Sequence, residues 1–269
     1  MAQRSIFITG GGSGIGRATA LHFAAKGWFV GVADISEAGM AETLSLIAGE
    51  AKWAGRLDVR DRAAWDEALT AFAAAAGGRI DAMVNNAGIG TGGPLAELSK
   101  DEIDACLDIN LRGVLYGAQA VYPYLKASGP GSALINIASA AGLTGGSGMS
   151  VYSATKFGVR GIAESLDAEW APDGITVASI CPSFIDTPLL DGTGNRNTNE
   201  NIRTRVTAAG LEITPVEDVA ATIWNAVHGH ELHYLVGKTA RSLAFAKRWM
   251  PGKVRKQQRA AGRQGLLGK

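Results

Sequence analysis

The sequence is short of cysteines and of long apolar runs, and each shortage excludes a class of protein. Its 269 residues include two cysteines, Cys106 and Cys181. Two thiols build no disulfide framework, so we expect a reducing, cytoplasmic environment. No run reaches the length of a membrane span. We expect no signal peptide, because the chain is predicted to enter an apolar strand within five residues. The four histidines show no spacing with carboxylates or thiols that is typical of a metal site.

The net charge is also small, at +1, which argues against general affinity for nucleic acid. The charge is unevenly distributed. Residues 241–269 hold nine Lys and Arg and lack Asp and Glu, whereas residues 1–240 carry a net charge of −8. We therefore expect one domain over residues 1–239, followed by a basic extension over residues 240–269.

What the chain has in quantity is glycine, with 36 residues, and apolar side chains, at 46% of the composition. Residues 5–9 predict a buried strand that leads into a glycine-rich turn, and residues 17–26 predict a helix. Glycines allow close approach to a pyrophosphate, and the start of a helix offers unpaired N–H groups to the phosphates. The spacing of Gly10, Gly14 and Gly16 differs from the commoner G-x-G-x-x-G pattern.

Polar residues follow the later strands. Asp34 ends the strand predicted over residues 28–33, where a carboxylate can bind an adenosine ribose. Capping of the next helix, over residues 36–48, is the alternative role. Asp58-Val59 follows a strand over residues 53–57, and Asn85-Asn86-Ala87-Gly88 follows one over residues 80–84 after a helix over residues 61–76. Ligands bind at this edge of open α/β sheets, although such residues also favour ordinary turns.

A long helix is predicted over residues 99–127, bent near its end by Pro123. It contains Asn110, whose amide is costly in an apolar stretch unless it is hydrogen-bonded. A fifth strand, over residues 133–138, ends at Ser139.

The next helix carries Tyr152 and Lys156, four residues apart and therefore on one face. A cation about 6 Å from a phenol, at an effective dielectric of about 20, favours the phenolate by roughly 3 kcal/mol. Tyr152 is thus suited to act as a general base on an alcohol. The alternative is a half-buried ring beside a solvated amine.

The last third of the chain predicts a strand over residues 175–181, an irregular and mobile loop over 188–214, a helix over 215–228 and a strand over 232–236. Another helix, over residues 240–250, should be stopped by Pro251. We expect it to pack Leu243, Ala246 and Met250 on the domain or on a partner subunit. Peripheral contact with an anionic membrane is the less favoured alternative.

In order along the chain, these motifs resemble the short-chain dehydrogenase/reductase family over residues 5–236. The resemblance rests on Thr9-Gly10-x-x-x-Gly14-Ile15-Gly16, Asp58-Val59, Asn85-Asn86-Ala87-Gly88, Asn110, Ser139 and Tyr152-x-x-x-Lys156. Two positions differ from the family pattern. Ser183 stands where a glycine is usual after Pro182, and Val236-Gly237-Lys238 replaces the usual Asp-Gly-Gly turn.

The resemblance implies a catalytic role for four residues. Tyr152 would be the acid/base, Lys156 would lower its pKa and hold the nicotinamide ribose, Ser139 would bind the substrate oxygen, and Asn110 would anchor a water of the proton relay. It also implies a cofactor site built from Gly10, Ser13, Gly14, Ile15, Gly16, Asp34, Asp58, Val59, Asn86, Ala87, Gly88, Tyr152, Lys156, Pro182, Ile185 and Thr187.

The expected fold is a Rossmann-type, three-layer α/β/α structure with about seven parallel strands in the order 3-2-1-4-5-6-7. The expected function is hydride transfer between NAD(H) and a secondary alcohol or ketone, in a homodimer or homotetramer. The alternatives are an NADP(H)-dependent carbonyl reductase and a protein that binds NAD(H) without turnover. Segments 90–98, 142–149 and 184–214 are expected to select a medium-sized, partly apolar substrate.

Overall fold

The computed structural model describes residues 3–193 and 198–263, and it contains one sheet of seven parallel strands. The strands lie in the order β3-β2-β1-β4-β5-β6-β7, which confirms the predicted topology. They are β1 Ser5–Thr9, β2 Phe29–Asp34, β3 Lys52–Arg56, β4 Ala82–Asn85, β5 Ala133–Ile137, β6 Thr176–Pro182 and β7 His233–Val236.

Helices cover both faces of the sheet because the side chains of each strand alternate between two apolar cores. Ile6 and Ile8 of β1 face the core shared with α1 Gly14–Ala24, α2 Glu37–Ser45 and α8 Val216–Val227. Phe7 points to the opposite core, which is closed by α3 Arg62–Ala75, α5 Gly113–Ser128 and α6 Ser150–Trp170. The prediction of three layers is confirmed.

The long helix expected over residues 99–127 is interrupted, and that prediction was wrong. It consists of α4 Lys100–Leu107, a π-helical turn Asp108–Arg112 and α5. Pro123 lies inside α5, which continues to Ser128. The interruption therefore falls at the turn that holds Asn110, where the inserted residue widens the backbone.

The region expected to be an irregular loop over residues 188–214 also contains regular structure. It holds a 3₁₀ turn, Pro188–Asp191, and the helix α7 Ile202–Ala208, while residues 194–197 fall outside the described part. The parallel bridge between Ile185 and Thr214 ties the two ends of this segment together.

The C-terminal extension forms two helices rather than the single one predicted. Helix α9 Lys238–Trp249 ends where expected, but Pro251 begins α10, Pro251–Arg263. Proline suits the first turn of a helix because its missing N–H would have no partner there. Within residues 3–193 and 198–263, no helix is long and apolar enough to cross a membrane.

Candidate functional site

A cleft of about 430 Å³ opens along the carboxyl ends of the strands. A volume of this size suits a small ligand. The cleft brings together sixteen of the eighteen predicted site residues: Gly10, Ser13, Gly14, Ile15, Asp34, Asp58, Val59, Asn86, Ala87, Gly88, Ser139, Tyr152, Lys156, Pro182, Ile185 and Thr187. Gly16 and Asn110 are the two predicted residues that do not line it.

The glycine turn between β1 and α1 needs its glycines for two reasons. Gly10 and Gly14 have φ angles of +66° and +49°, which side chains other than glycine rarely adopt. Gly16 lies behind the cleft, where an added Cβ would stand 2.1 Å from the carbonyl oxygen of Gly10. Gly16 thus supports the turn by close packing, while the start of α1 faces the cleft and can receive phosphate groups.

Asp34 is held firmly at one end of the cleft. Its Oδ2 accepts a hydrogen bond from the Gly12 N–H at 2.9 Å, and its Oδ1 accepts one from the Ser36 N–H at 2.9 Å. The N-cap of α2 is Ser36, whose hydroxyl accepts from the Gly39 N–H. The alternative role for Asp34 as the cap is therefore wrong, and its carboxylate stands fixed between the glycine turn and α2.

Two arginines near this end are already paired with carboxylates. Arg17 binds both carboxylate oxygens of Glu42, at 2.7 and 2.6 Å, and also donates to the Gly12 carbonyl. Arg60, which lines the cleft and was not predicted, forms a similar pair with Asp58 and lowers the pKa of that carboxyl. No sequence signal predicts the Arg17–Glu42 pair. The one signal for the Arg60–Asp58 pair is that the two residues lie two positions apart.

Asn86 lines the cleft, and its side-chain amide is hydrogen-bonded to the glycine turn. Its Nδ2 donates to the carbonyl oxygens of Thr9 and Gly10, at 2.8 and 3.2 Å. In return, Thr9 Oγ1 accepts from the N–H groups of Asn86 and Ala87, both at 3.1 Å. These bonds brace the end of β4 against the turn after β1, so they shape the floor of the cleft.

Asn110 is buried in the π-helical turn, and its side chain holds the chain after β4. Its Oδ1 accepts from the Ile89 N–H at 2.8 Å, and its Nδ2 donates to the Ile89 carbonyl at 2.8 Å. A weaker contact of 3.6 Å reaches Cys106 Sγ. The amide is therefore satisfied by protein groups, and it positions Ile89, which lines the cleft.

Ser139, Tyr152 and Lys156 meet at the other end of the cleft. Ser139 follows β5, and its hydroxyl accepts from the Ala141 N–H at 3.1 Å. Tyr152 and Lys156 lie one turn apart on α6, and Lys156 Nζ is 5.7 Å from the centre of the Tyr152 ring. Lys156 Nζ also donates to the Ile137 carbonyl at 2.9 Å, which holds the buried ammonium beside β5.

Burial dominates the ionisation of this group of residues. Burial raises the pKa of Tyr152, and hydrogen bonding with Ser139 opposes that effect. Burial also lowers the pKa of Lys156 to about 8. The protein groups alone therefore favour the neutral phenol, contrary to the direction expected for Tyr152 from the spacing with Lys156.

Residues after β6 close the cleft beside Ser139. Thr187 packs close to Gly14, since a Cβ on Gly14 would lie 3.2 Å from Thr187 Cγ2. The hydroxyl of Ser183, where glycine was expected, is buried and has no hydrogen-bond partner among residues 3–193 and 198–263. The apolar side chains of Ile89, Leu189 and Leu190 also line the cleft.

His233 forms a hydrogen-bonded bridge away from the cleft. Its Nδ1 lies 2.8 Å from Ser179 Oγ, and its Nε2 lies 3.0 Å from Glu164 Oε1. This is the order of groups in a catalytic triad, but Ser179 is fully buried and no substrate can reach it. The bridge instead ties β6, β7 and α6 together.

Comparison with known proteins identifies the family. The family model described as short chain dehydrogenase matches residues 4–198. Levodione reductase from Leifsonia aquatica is 36% identical over 206 residues, which cover 75% of this chain and 76% of the relative. The short-chain reductase protein NovJ from Streptomyces niveus is 36% identical over 251 residues, which cover 89% of this chain and 92% of NovJ.

Solved structures agree with these sequence matches. A short chain dehydrogenase/reductase from Burkholderia phymatum, solved in complex with NAD, superposes with a TM-score of 0.83 at 25% identity and covers 95% of each chain. A crystal structure of levodione reductase superposes with a TM-score of 0.80 at 30% identity, over 90% of this chain and 98% of the other. The chain belongs to the short-chain dehydrogenase/reductase family of oxidoreductases.

Proposed function

We propose that this enzyme transfers a hydride between NAD(H) and a secondary alcohol or ketone, with Tyr152 as the general acid/base. The observation that carries the proposal is the meeting of Tyr152, Lys156 and Ser139 at one end of a cleft whose other end holds Asp34. A nicotinamide dinucleotide bound along the cleft would have its adenosine ribose near Asp34 and its nicotinamide ring near Tyr152.

The residues present fit such a cofactor. Gly10 and Gly16 pack closely on neighbouring atoms, and Gly10 and Gly14 have positive φ angles, so none of the three positions readily accepts a side chain. Phosphate groups can therefore approach the start of α1. Asp34 would bind the adenosine ribose, and Lys156 the nicotinamide ribose. When bound, the nicotinamide supplies the hydride acceptor or donor. Ile15, Asp58, Val59, Ala87, Gly88, Pro182, Ile185 and Thr187 would form the remaining walls.

The protein's own chemistry is the movement of a proton. In ketone reduction, the neutral phenol of Tyr152 donates its proton to the substrate oxygen, which Ser139 holds by a hydrogen bond. In alcohol oxidation, Tyr152 accepts that proton. Lys156, protonated at neutral pH because its lowered pKa is about 8, stabilises the phenolate that reduction leaves.

NAD(H) is the proposed cofactor in preference to NADP(H). The carboxylate of Asp34 would face a 2′-phosphate, and like charges 4 Å apart cost about 4 kcal/mol at an effective dielectric of about 20. Arg17 is committed to Glu42 and Arg60 to Asp58. The NAD bound to the Burkholderia phymatum relative supports the same choice.

The substrate end of the cleft favours a medium-sized, partly apolar alcohol or ketone. Ile89, Leu189 and Leu190 supply apolar surface in the same cleft as the hydroxyls of Ser139 and Tyr152. A backbone hydrogen bond of 2.8 Å from Gly93 to Gly148 joins two of the segments expected to select the substrate. Levodione reductase and L-2,3-butanediol dehydrogenase are relatives named for small carbonyl and alcohol compounds.

We further propose a homodimer or homotetramer. Leu115 of α5 and Phe157 of α6 leave 48% and 42% of their surfaces exposed on adjacent helices, which is apolar area suited to a subunit contact. A cytoplasmic location remains a prediction from the two reduced cysteines.

The direct test is to assay the protein with a panel of secondary alcohols and ketones. Turnover is measured by the change in absorbance of the reduced nicotinamide. We expect turnover of at least one partly apolar member with NAD(H). If the protein binds NAD(H) tightly but oxidises or reduces no member of a broad panel, the alternative of a non-catalytic NAD(H)-binding protein replaces this proposal.

A further inference from the structure

The two C-terminal helices leave large apolar side chains in solvent. On α9, Phe245 and Trp249 are 60% and 65% exposed, and Met250, which follows the helix, is 39% exposed. Phe245 and Trp249 are four residues apart and therefore share one face of α9. The less exposed apolar residues of this helix are Ala240, which is buried, and Leu243, Ala244 and Ala246, which are half-buried. Met250 was predicted to pack on the domain or on a partner subunit, and in this chain its side chain is exposed rather than packed on the domain.

Helix α10 is attached to the domain by one narrow face. Val254 is buried, and Gln258, one turn later, donates from Nε2 to Thr144 Oγ1 at 2.9 Å. Helix α9 itself packs on β7 and on the short helix Ala140–Gly142 that follows Ser139. These contacts fix both helices on the body, so their outward faces are held at defined positions.

Those outward faces are strongly basic. Seven exposed cations lie along the two helices, and none has an ion pair among residues 3–193 and 198–263: Arg241, Lys247, Arg248, Lys253, Arg255, Lys256 and Arg259. Residues 241–269 contain no Asp or Glu that could neutralise them. The guanidinium of Arg248 lies 5.3 Å from the centre of the Trp249 ring, so charge and aromatic surface are adjacent.

We propose that the outer face of α9 and α10, called here the basic arm, binds an anionic lipid surface. Exposed Trp and Phe beside many Lys and Arg are what the membrane interface accommodates, because the rings enter the headgroup layer while the cations remain with the lipid phosphates. A phosphate backbone of nucleic acid would take the cations but leave Phe245, Trp249 and Met250 unburied. The unpaired positive charge on the arm selects an anionic partner.

The sequence alone favoured packing on the body or a partner subunit, because one short helix binds lipid weakly. Two consecutive helices with their aromatic residues outward provide both of the signals that stable attachment needs, apolar anchors and a basic patch. Because α9 packs beside the residues after Ser139, attachment through the arm would bring the substrate end of the cleft near the lipid.

Flotation of the full-length protein with vesicles tests the proposal. We expect binding to vesicles of equal parts phosphatidylcholine and phosphatidylglycerol, release by high salt, and little binding to phosphatidylcholine alone. The triple variant Arg248→Gln/Lys253→Gln/Lys256→Gln should bind about a hundredfold more weakly. Its matched control is Lys26→Gln/Lys100→Gln/Lys126→Gln, which removes three charges from the body and should leave binding unchanged.

A second pair of variants tests whether the exposed aromatic side chains of the basic arm contribute to vesicle binding. Trp249→Ser should weaken vesicle binding about tenfold, whereas Leu46→Ser, at a body position that is 56% exposed, should not. Circular dichroism and NAD(H) affinity, unchanged in all four variants, would show that each is folded.

Three outcomes would overturn the proposal. The first is absence of binding to the anionic vesicles. The second is tighter binding to duplex DNA that Trp249→Ser leaves intact, which would make the arm a nucleic-acid site. The third is self-association that Trp249→Ser abolishes while vesicles bind nothing, which would assign the face to a second copy of this chain.

Discussion

Arg17 and Glu42 form a two-point ion pair, with N–O distances of 2.7 and 2.6 Å, immediately behind the glycine turn. The pair joins α1 to α2 across 25 positions of sequence. It also keeps the guanidinium beside the carbonyl of Gly12, the residue whose N–H donates to Asp34. A cation that could otherwise bind a 2′-phosphate is therefore occupied by a carboxylate.

This pairing leads to a prediction about cofactor choice. The wild-type enzyme should favour NAD(H) over NADP(H) by a factor of about ten or more in kcat/KM, since each decade corresponds to about 1.4 kcal/mol. Asp34→Ser should lower the preference for NAD(H) in kcat/KM, because it removes the charge that repels the 2′-phosphate. Adding Glu42→Gln should lower that preference further, because it frees Arg17 to bind the 2′-phosphate. Glu37→Gln, in the first turn of α2, is the matched control. Equal or better efficiency of the wild type with NADP(H) would contradict the assignment of Asp34.

A second prediction concerns Gly16. Gly16→Ala places a Cβ 2.1 Å from the Gly10 carbonyl oxygen, so the turn must shift and NAD(H) affinity should fall at least tenfold. Gly161→Ala is the control within helix α6, because its added Cβ would meet no atom within 4 Å in the described part of the chain, apart from its own helix backbone and chain neighbours. That variant should keep its affinity and gain up to about 1 kcal/mol of stability. Isothermal titration and urea unfolding separate the two effects, and unchanged affinity in Gly16→Ala would argue against a cofactor at this turn.

The buried Lys156 predicts a pH dependence of stability. Burial lowers its pKa from 10.5 to about 8, so between these values the unfolded chain holds a proton that the folded chain has lost. The lysine's contribution to the free energy of unfolding should therefore rise with pH above about 8. Relative to Lys156→Met, the wild type should gain roughly 2 kcal/mol between about pH 8 and about pH 10. Urea unfolding of both proteins across this range measures it, and a flat difference would mean that Lys156 titrates normally.

Much of the fold could be predicted because its determinants are local. Buried strands, the glycine turn and polar residues at strand ends are each encoded within a few positions of sequence. Together they carried the resemblance to the family, and the sheet order expected on that basis is the one the structure has. The resemblance also implied which residues would line the cleft. Asn110 was the instructive exception, since its partner Ile89 lies 21 positions away and its π-helical turn has no periodic signal.

Three other features were not predicted, each for its own physical reason. The Arg17–Glu42 pair depends on how α1 and α2 pack, which neither helix encodes alone. Helix α10 was missed because Pro251 was taken only as a stop, although proline also suits the first turn of a helix. The direction of the Tyr152 pKa was misjudged because the distance to Lys156 was considered without the burial of both groups.

The central claim, that Tyr152 moves the proton in an NAD(H)-dependent reaction, is tested most directly by one comparison. Wild type and Tyr152→Phe are assayed for the absorbance of reduced nicotinamide with the best substrate of the panel, and NAD(H) affinity is titrated for both. We predict that Tyr152→Phe abolishes turnover while its affinity stays within a few-fold, because only the proton-transfer group is lost. Substantial turnover by Tyr152→Phe would contradict the account.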